Sequence, residues 1–192
     1  MNLSGWGPLH TAANWNACQV LRCLIHARAN LELPGANGAT PLYVAALNGR
    51  KEAVKMLLEA RADGLRSRFG GSNALHIACA KGHLEVTQRL IAAAPSALNK
   101  AKENGTTPLF LAACEGHVDV VDSLLQARAE QKATEKGSPL HAAAAQGHWK
   151  VIKSLLAARG NVNEGRSDGA TPLFMAARSD SEKKELFGEA KL

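Results

Sequence analysis

A six-residue pattern occurs six times in the chain and constrains its fold more than any other feature. The pattern is Pro or Ala, then Leu, then His or an aromatic residue, then any residue and two small ones. It begins at Pro8, Pro41, Ala74, Pro108, Pro139 and Pro172, in steps of 33, 33, 34, 31 and 33 residues. A period of this length is typical of stacked structural repeats, in which each repeat buries its apolar face only against its neighbours.

Each repeat contains signals for a tight turn followed by two short helices. Gly in the turn permits a positive φ, and Thr, Ser or Asn before the pattern can cap a helix that begins with Pro. The first helices should end near Gly49, Gly82, Gly116 and Gly147, with Asn16 in the same place in the first repeat. The turn before Ser138 is one residue shorter, so its tip should differ. The predicted helices are 41–47, 51–60, 74–81, 84–93, 108–115, 118–127, 139–146 and 149–158.

The second helix of each repeat carries an apolar stripe. In the first repeat Val20, Leu21, Leu24 and Ile25 stand at i, i+1, i+4 and i+5, and the next four repeats keep this spacing. One helix pair cannot bury such a stripe, whereas stacked pairs can. The first repeat is less well capped than the last, so Cys18, Val20, Leu21 and Ile25 are expected to face partly outward unless something else covers them.

The pattern and its period resemble the Thr-Pro-Leu-His-x-Ala core of the ankyrin-repeat family. The resemblance implies an all-α ankyrin-repeat α-solenoid of stacked helix-turn-helix pairs with β-turn or hairpin loops. The array is predicted at 2–178 and the polar residues 179–192 as a C-terminal cap, since nothing stacks beyond it. The repeats are placed at about 2–34, 35–67, 68–101, 102–133, 134–165 and, in part, 166–178.

The chain departs from the family at the polar link between the capping Thr and the His three residues later. No repeat has both. Three residues after Thr40, Thr107 and Thr171 the chain has an aromatic residue, and three residues before each His of the pattern it has Gly, Asn or Ser. We expect aromatic packing to replace the link in the repeats that contain Tyr43, Phe110 and Phe174.

No catalytic or cofactor-binding motif is present, so the sequence predicts a protein that is not an enzyme and has no cofactor. His83, His117 and His148 each follow a helix-ending Gly and are interpreted as shared helix-start residues instead of metal ligands. The four Cys form no C-x-x-C pair and are expected to be reduced. Without a signal peptide or an apolar run of about 20 residues, the expected location is intracellular, cytoplasmic or nuclear, unless an upstream segment is missing.

The resemblance implies a non-enzymatic scaffold or adaptor, alone or as a peripheral subunit of a larger assembly. Such arrays bind a protein partner through hairpin tips and the concave face of the first helices. Trp6 and Trp15 either bind the partner or pack on each other and shield the N-terminal edge. Trp149 is expected to be structural. The candidate partner-binding residues are Trp6, Asn14, Trp15, Asn37, Leu47, Asn48, Phe69, Lys81, Glu103, Glu115 and Gln146.

A series of Arg residues is the clearest departure from the family, which has Gly after its second helix. The series is Arg28, Arg61, Arg128 and Arg159, and the third repeat breaks it with Ala94 before Pro95. The Gly position requires the left-handed αL conformation, and an Arg charge offsets part of the cost at the negative end of the helix dipole. The series is therefore either a local cap or a basic docking strip for an acidic protein, nucleic acid or anionic membrane. A net charge of +6 permits such docking, but the lack of a basic cluster with interleaved aromatic residues disfavours nucleic acid.

Overall fold

The computed structural model describes residues 5–178 of the chain, which are helices joined by tight turns. Within this range the structure contains no β-strand, only an isolated antiparallel bridge between Thr134 and Gly137. The all-α prediction is confirmed, and every predicted helix agrees with the structure to within one residue at each end. The predicted cap at 179–192 and the first residues of the array lie outside the described residues. The helices are α1 (Pro8–Asn14), α2 (Cys18–His26), α3 (Pro41–Leu47), α4 (Lys51–Glu59), α5 (Ala74–Ala80), α6 (Leu84–Ala93), a 3₁₀ helix (Pro95–Ala97), α7 (Pro108–Cys114), α8 (Val118–Gln126), α9 (Pro139–Gln146), α10 (Trp149–Ala157) and a helical stretch at 172–178.

The chain divides into two compact units, residues 1–108 and 109–192. In the N-terminal unit the first helices of the repeats form one layer, in which α1 packs on α3 and α3 on α5. The second helices form the other layer, in which α2 packs on α4 and α4 on α6. In the C-terminal unit α10 packs on both α8 and α9. Each unit therefore has the stacked helix pairs of an α-solenoid.

Stacking on a neighbouring repeat determines which residues of the apolar stripe are buried. Ala53 and Val86, the first stripe residues of α4 and α6, are 0% and 1% exposed, whereas the equivalent Val20 of α2 is 51% exposed. The helix α4 packs between α2 and α6, whereas α2 packs on α1 and α4. The expectation that Leu21 faces partly outward is wrong, since Leu21 is 0% exposed. It is buried because α2 packs on both α1 and α4, so this residue does not depend on a preceding repeat.

The Arg series adopts the left-handed conformation that the sequence predicts. The φ angles of Arg28, Arg61, Arg128 and Arg159 are 56°, 67°, 66° and 65°, and all four residues are exposed. The chain turns there so that the next amide bonds back onto the helix, for example from Ala62 N to Leu57 O at 2.9 Å. The third repeat breaks the series as expected, because Ala94 has a φ of −138° and a 3₁₀ helix follows.

This geometry predicts opposite effects for two substitutions that remove the same charge. Arg61→Gly relieves the αL strain, whereas Arg61→Val places a β-branched side chain at a positive φ. We expect the Gly variant to be more stable than the Val variant by about 1–2 kcal/mol, measured by urea unfolding. Equal stability of the two variants would contradict a strained αL position.

Candidate interaction surface

The turn before each first helix is a narrow hairpin closed by a backbone hydrogen bond. Amide nitrogens of Gly35, Arg68 and Lys102 donate to carbonyls four residues later, at 2.8, 2.9 and 2.9 Å. The turn at Thr134 is shorter and closes in both directions with Gly137, at 3.0 and 2.8 Å. The prediction that this tip differs from the others is confirmed.

Successive hairpin tips of the N-terminal unit touch. A Cβ atom on Gly38, where φ is 77°, would lie only 3.1 Å from the amide nitrogen of Phe69. The amide of Glu103 in turn donates to Gly70 O at 3.3 Å. Residues 36–38, 69–71 and 103–105 therefore form a continuous surface, called here the tip ridge. A larger residue at Gly38 would separate neighbouring tips, so glycine is required there for both its φ and its small size.

Buried His side chains attach the first helices to the tips that follow them. His10 Nδ1 accepts from the amide of Gly7 at 3.2 Å, so its hydrogen is on Nε2, which lies 3.0 Å from Ala39 O. His141 is bonded in the same way, with Ser138 N at 3.1 Å from Nδ1 and Ala170 O at 3.0 Å from Nε2. The tips are thus held in place by the neutral imidazole.

The pKa values of two buried His residues, His10 and His76, favour the neutral form. Burial lowers the pKa of His10, because a charged imidazolium loses its hydration. Burial, together with the nearby Lys102 ammonium, lowers the pKa of His76 from 6.5 to about 4. At neutral pH these side chains are therefore structural and are not available as acids or bases.

Aromatic packing replaces the His link in one of the alternate repeats but not in another. Tyr43 is 4% exposed, and the Arg68 guanidinium lies 5.4 Å from its ring and donates to its hydroxyl at 3.3 Å. This confirms the expectation for that repeat. Phe174 is 56% exposed, so the expectation is wrong there. Phe174 lies in the last repeat, of which the structure describes one helical stretch, at 172–178.

The two N-terminal Trp residues have different environments. The Trp6 ring stacks on His10 with a centroid distance of 6.3 Å and packs against the buried cluster of Ala39, Tyr43 and Val44. Trp15, at the end of α1, is 71% exposed. The alternative in which the two rings pack on each other as a shield is therefore wrong for Trp15, which has too little buried area. Trp6 is part of the packed interior, and Trp15 stays a candidate for binding.

Three of the candidate residues hold neighbouring repeats together. Asn48 donates to Asn14 Oδ1 at 3.1 Å, and Arg50 donates to Asn14 O at 2.8 Å. The carbonyl of Leu47 lies 3.1 Å from His83 Nε2, and His148 Nε2 lies 3.0 Å from a carbonyl in the same way. These contacts agree with the interpretation of the His residues as helix-start residues. They also give Asn14, Leu47 and Asn48 a structural role in the N-terminal unit.

The other candidates are exposed and belong to two different units. Asn37 lies on the tip ridge, where its side chain accepts from Ala39 N at 3.1 Å and shapes the turn. Phe69 lies on the same ridge and is 74% exposed. Lys81 and Glu103 are exposed in the N-terminal unit, and Glu115 and Gln146 in the C-terminal unit. The structure thus brings together Asn37, Phe69 and Glu103.

Trp149 is a correction to the sequence analysis, which expected it to be structural. It is 66% exposed, and its ring lies 5.6 Å from the Lys150 ammonium. The buried residues of α10 are Val151 and Leu155. Because side chains two positions apart point to nearly opposite sides of a helix, Trp149 faces away from the buried stripe.

The sequence analysis did not identify a cavity of about 490 Å³ in the C-terminal unit. Burial raises the pKa of the Cys114 thiol in its wall, which keeps this sulfur protonated and weakly nucleophilic. The lining of the cavity includes Phe110, Cys114, Lys136, Gln146, Arg166 and Met175.

Comparison with known proteins identifies the family. A family model described as ankyrin repeats matches in three copies, at residues 1–68, 61–136 and 127–186. The chain belongs to the ankyrin-repeat family, whose members are generally protein–protein interaction modules. A search of curated proteins found no match. Within residues 5–178, no group of three or more His, Cys, Asp or Glu could hold a metal ion, and no helix has the length and apolar character needed to cross a bilayer.

The lowered pKa of His76 predicts a loss of stability in acid. Because the folded-state pKa of about 4 is below the ordinary 6.5, the unfolded chain binds more protons between these values, and stability falls as the pH decreases through them. Each unit of pKa difference contributes about 1.4 kcal/mol. Urea unfolding from pH 7 to pH 4 should therefore show a smaller pH-dependent loss for His76→Gln than for the natural chain.

The matched control for this experiment is His26→Gln, since His26 is exposed on α2. Its pH profile should follow that of the natural chain. If the His76→Gln profile were parallel to both, the acid sensitivity would come from other groups and the prediction would be wrong.

Proposed function

We propose that the chain is a non-enzymatic scaffold or adaptor that binds a protein partner through the tip ridge and the neighbouring ends of the first helices. The observation that carries the proposal is Phe69, whose side chain is 74% exposed while its backbone packs against Gly38. A large aromatic side chain on a fixed backbone can anchor an interface at a low cost in entropy.

Trp15 provides a second anchor of the same kind. It is 71% exposed and follows α1, which packs directly on α3. Exposed polar residues lie in the same unit, with Asn37 and Glu103 on the ridge and Lys81 at the end of α5. An aromatic centre with a polar rim is the usual arrangement of a protein–protein interface. A peripheral position in a larger assembly is compatible with one such surface.

The titratable groups of the N-terminal unit support a non-enzymatic role. Burial raises the pKa of the Cys79 thiol to about 12, so it stays protonated. His76, with a pKa of about 4, is 0% exposed and cannot contact a substrate. A catalytic nucleophile or base needs access and a pKa near the working pH.

A second candidate function is an electrostatic tether through Arg28, Arg61, Arg128 and Arg159. The specific observation in its favour is that all four are exposed while their backbones are fixed in the αL conformation. Exposed single charges contribute little to binding, however, so an Arg series alone is a weak anchor.

The primary proposal predicts the effect of removing the two exposed aromatic anchors. A partner captured on the immobilised full chain, identified by mass spectrometry and purified, should bind Phe69→Ala and Trp15→Ala more weakly by about 1–3 kcal/mol each. Trp149→Ala is the matched control, because it removes an equally exposed ring from an outer helix. Unchanged affinity of both variants, or an equal loss in the control, would refute the proposed surface.

A further inference from the structure

The net positive charge of the protein comes from its N-terminal unit. Residues 1–108 contain twelve Lys and Arg against six Asp and Glu, whereas residues 109–192 contain eleven of each. The N-terminal unit therefore carries the whole net charge of +6 and the C-terminal unit carries none. A charge asymmetry of this kind favours association of one unit with an acidic partner.

The outer layer of this unit, formed by α2, α4 and α6, contains two neighbouring grooves. Each groove is lined by both cationic and aliphatic side chains, and Glu59 lines both grooves. The groove between α2 and α4 has a volume of about 410 Å³ and is lined by Arg22, Ile25, His26, Met56, Glu59 and Ala60. The groove between α4 and α6 has a volume of about 390 Å³ and is lined by Lys55, Leu58, Glu59, Arg89, Ala92 and Ala93.

Arg22 and Lys55 are equivalent residues of successive repeats, 33 positions apart, and both are exposed. Within residues 5–178, neither of them forms an ion pair, whereas Lys51 and Arg89 both pair with Glu85, at 2.6 and 3.2 Å. Arg28 and Arg61 add exposed charges just beyond the ends of α2 and α4. The helices α2, α4 and α6, together with Arg28 and Arg61, thus contain six Lys or Arg residues and three Glu residues, Glu52, Glu59 and Glu85.

We propose that these two grooves bind an acidic amphipathic helix of a protein partner, lying across α2 and α4. Packed helices lie about 8–10 Å apart, so two carboxylates of the partner must have about that spacing to meet Arg22 and Lys55. A helix rises about 1.5 Å per residue, so acidic residues about seven positions apart provide this distance. Its apolar residues between them cover Ile25, Met56 and Leu58.

A helix fits this surface better than an extended segment. An added strand needs an exposed strand edge to bond with, and among residues 5–178 the structure has no strand. A helix satisfies its own backbone hydrogen bonds and needs only side-chain contacts. The proposal does not depend on the tip ridge, because the grooves lie on the second helices and the ridge lies on the turns before the first helices.

The test uses the full chain and two synthetic helical peptides of about 20 residues with identical composition. One peptide has Glu at positions i and i+7, and the other has the same Glu residues at i and i+4. Fluorescence anisotropy at low salt should show tighter binding of the first peptide. Arg22→Glu with Lys55→Glu should weaken that binding by about tenfold or more, and Arg22→Gln with Lys55→Gln by less.

The control is Lys153→Glu with Arg159→Glu, which makes the same charge change in the C-terminal unit. Lys153 stands at the position of Arg22 and Lys55 in its repeat, and Arg159 lies in the αL turn that follows α10. This control and Phe69→Ala should both leave peptide binding unchanged. Circular dichroism checks that each variant is folded. If the variant with two Glu substitutions does not fold, the variant with two Gln substitutions still provides the test.

Equal binding of the two peptides, or an equal loss in the control, would show attraction by net charge alone and overturn the proposal. Tighter binding of duplex DNA or anionic vesicles with the same dependence on Arg22 and Lys55 would assign the surface to that class of partner and also overturn it.

Discussion

Burial of one leucine-rich stripe against the next helix pair is the interaction on which the rest of the structure depends. The central leucines of the second helices, Leu21, Leu57, Leu90, Leu124 and Leu155, are each 0% or 1% exposed. Full burial of such a side chain contributes about 1.5–3 kcal/mol, and no single helix pair can bury both sides of its stripe. Val20 of α2 is 51% exposed, whereas the equivalent residues of α4 and α6, which stack on a preceding helix of the same layer, are 0% and 1% exposed.

The same stacking determines what the protein presents to a partner. Bonds between repeats, from Asn48 to Asn14 and from His83 to Leu47 O, fix the ends of the first helices. The neutral His10 fixes the base of the following tip through Ala39 O. Phe69 is exposed on a turn that is closed by the bond from Arg68 N to Ser72 O and whose backbone packs against Gly38. The outer helices are held by the same leucines, which gives the two grooves beside α4 a defined spacing.

Much of the fold can be predicted from the sequence because its signals are local. Caps such as Thr40 and Asn73, and left-handed residues such as Gly49 and Arg61, determine where each helix begins and ends. The period then determines which helices stack.

Side-chain environments were harder to predict, because they depend on neighbours distant in the sequence. Trp6 and Trp15 look alike in the sequence, yet one packs on His10 and the other is exposed. Asn14 and Asn48 looked like surface groups because their bond spans 34 residues. The cavity beside Phe110 and the two outer grooves form only when repeats stack, so no single segment indicated them.

The most direct test of this account is native-state hydrogen exchange on the Leu57→Ala variant. This change leaves a cavity in α4 and should cost about 2–5 kcal/mol. If stacking on neighbours supports the N-terminal unit, amides in the adjacent helices α2 and α6, and those of the tip ridge at 69–71, should lose protection together with α4. Loss of protection confined to α4, with the adjacent helices and the tip unchanged, would contradict the account.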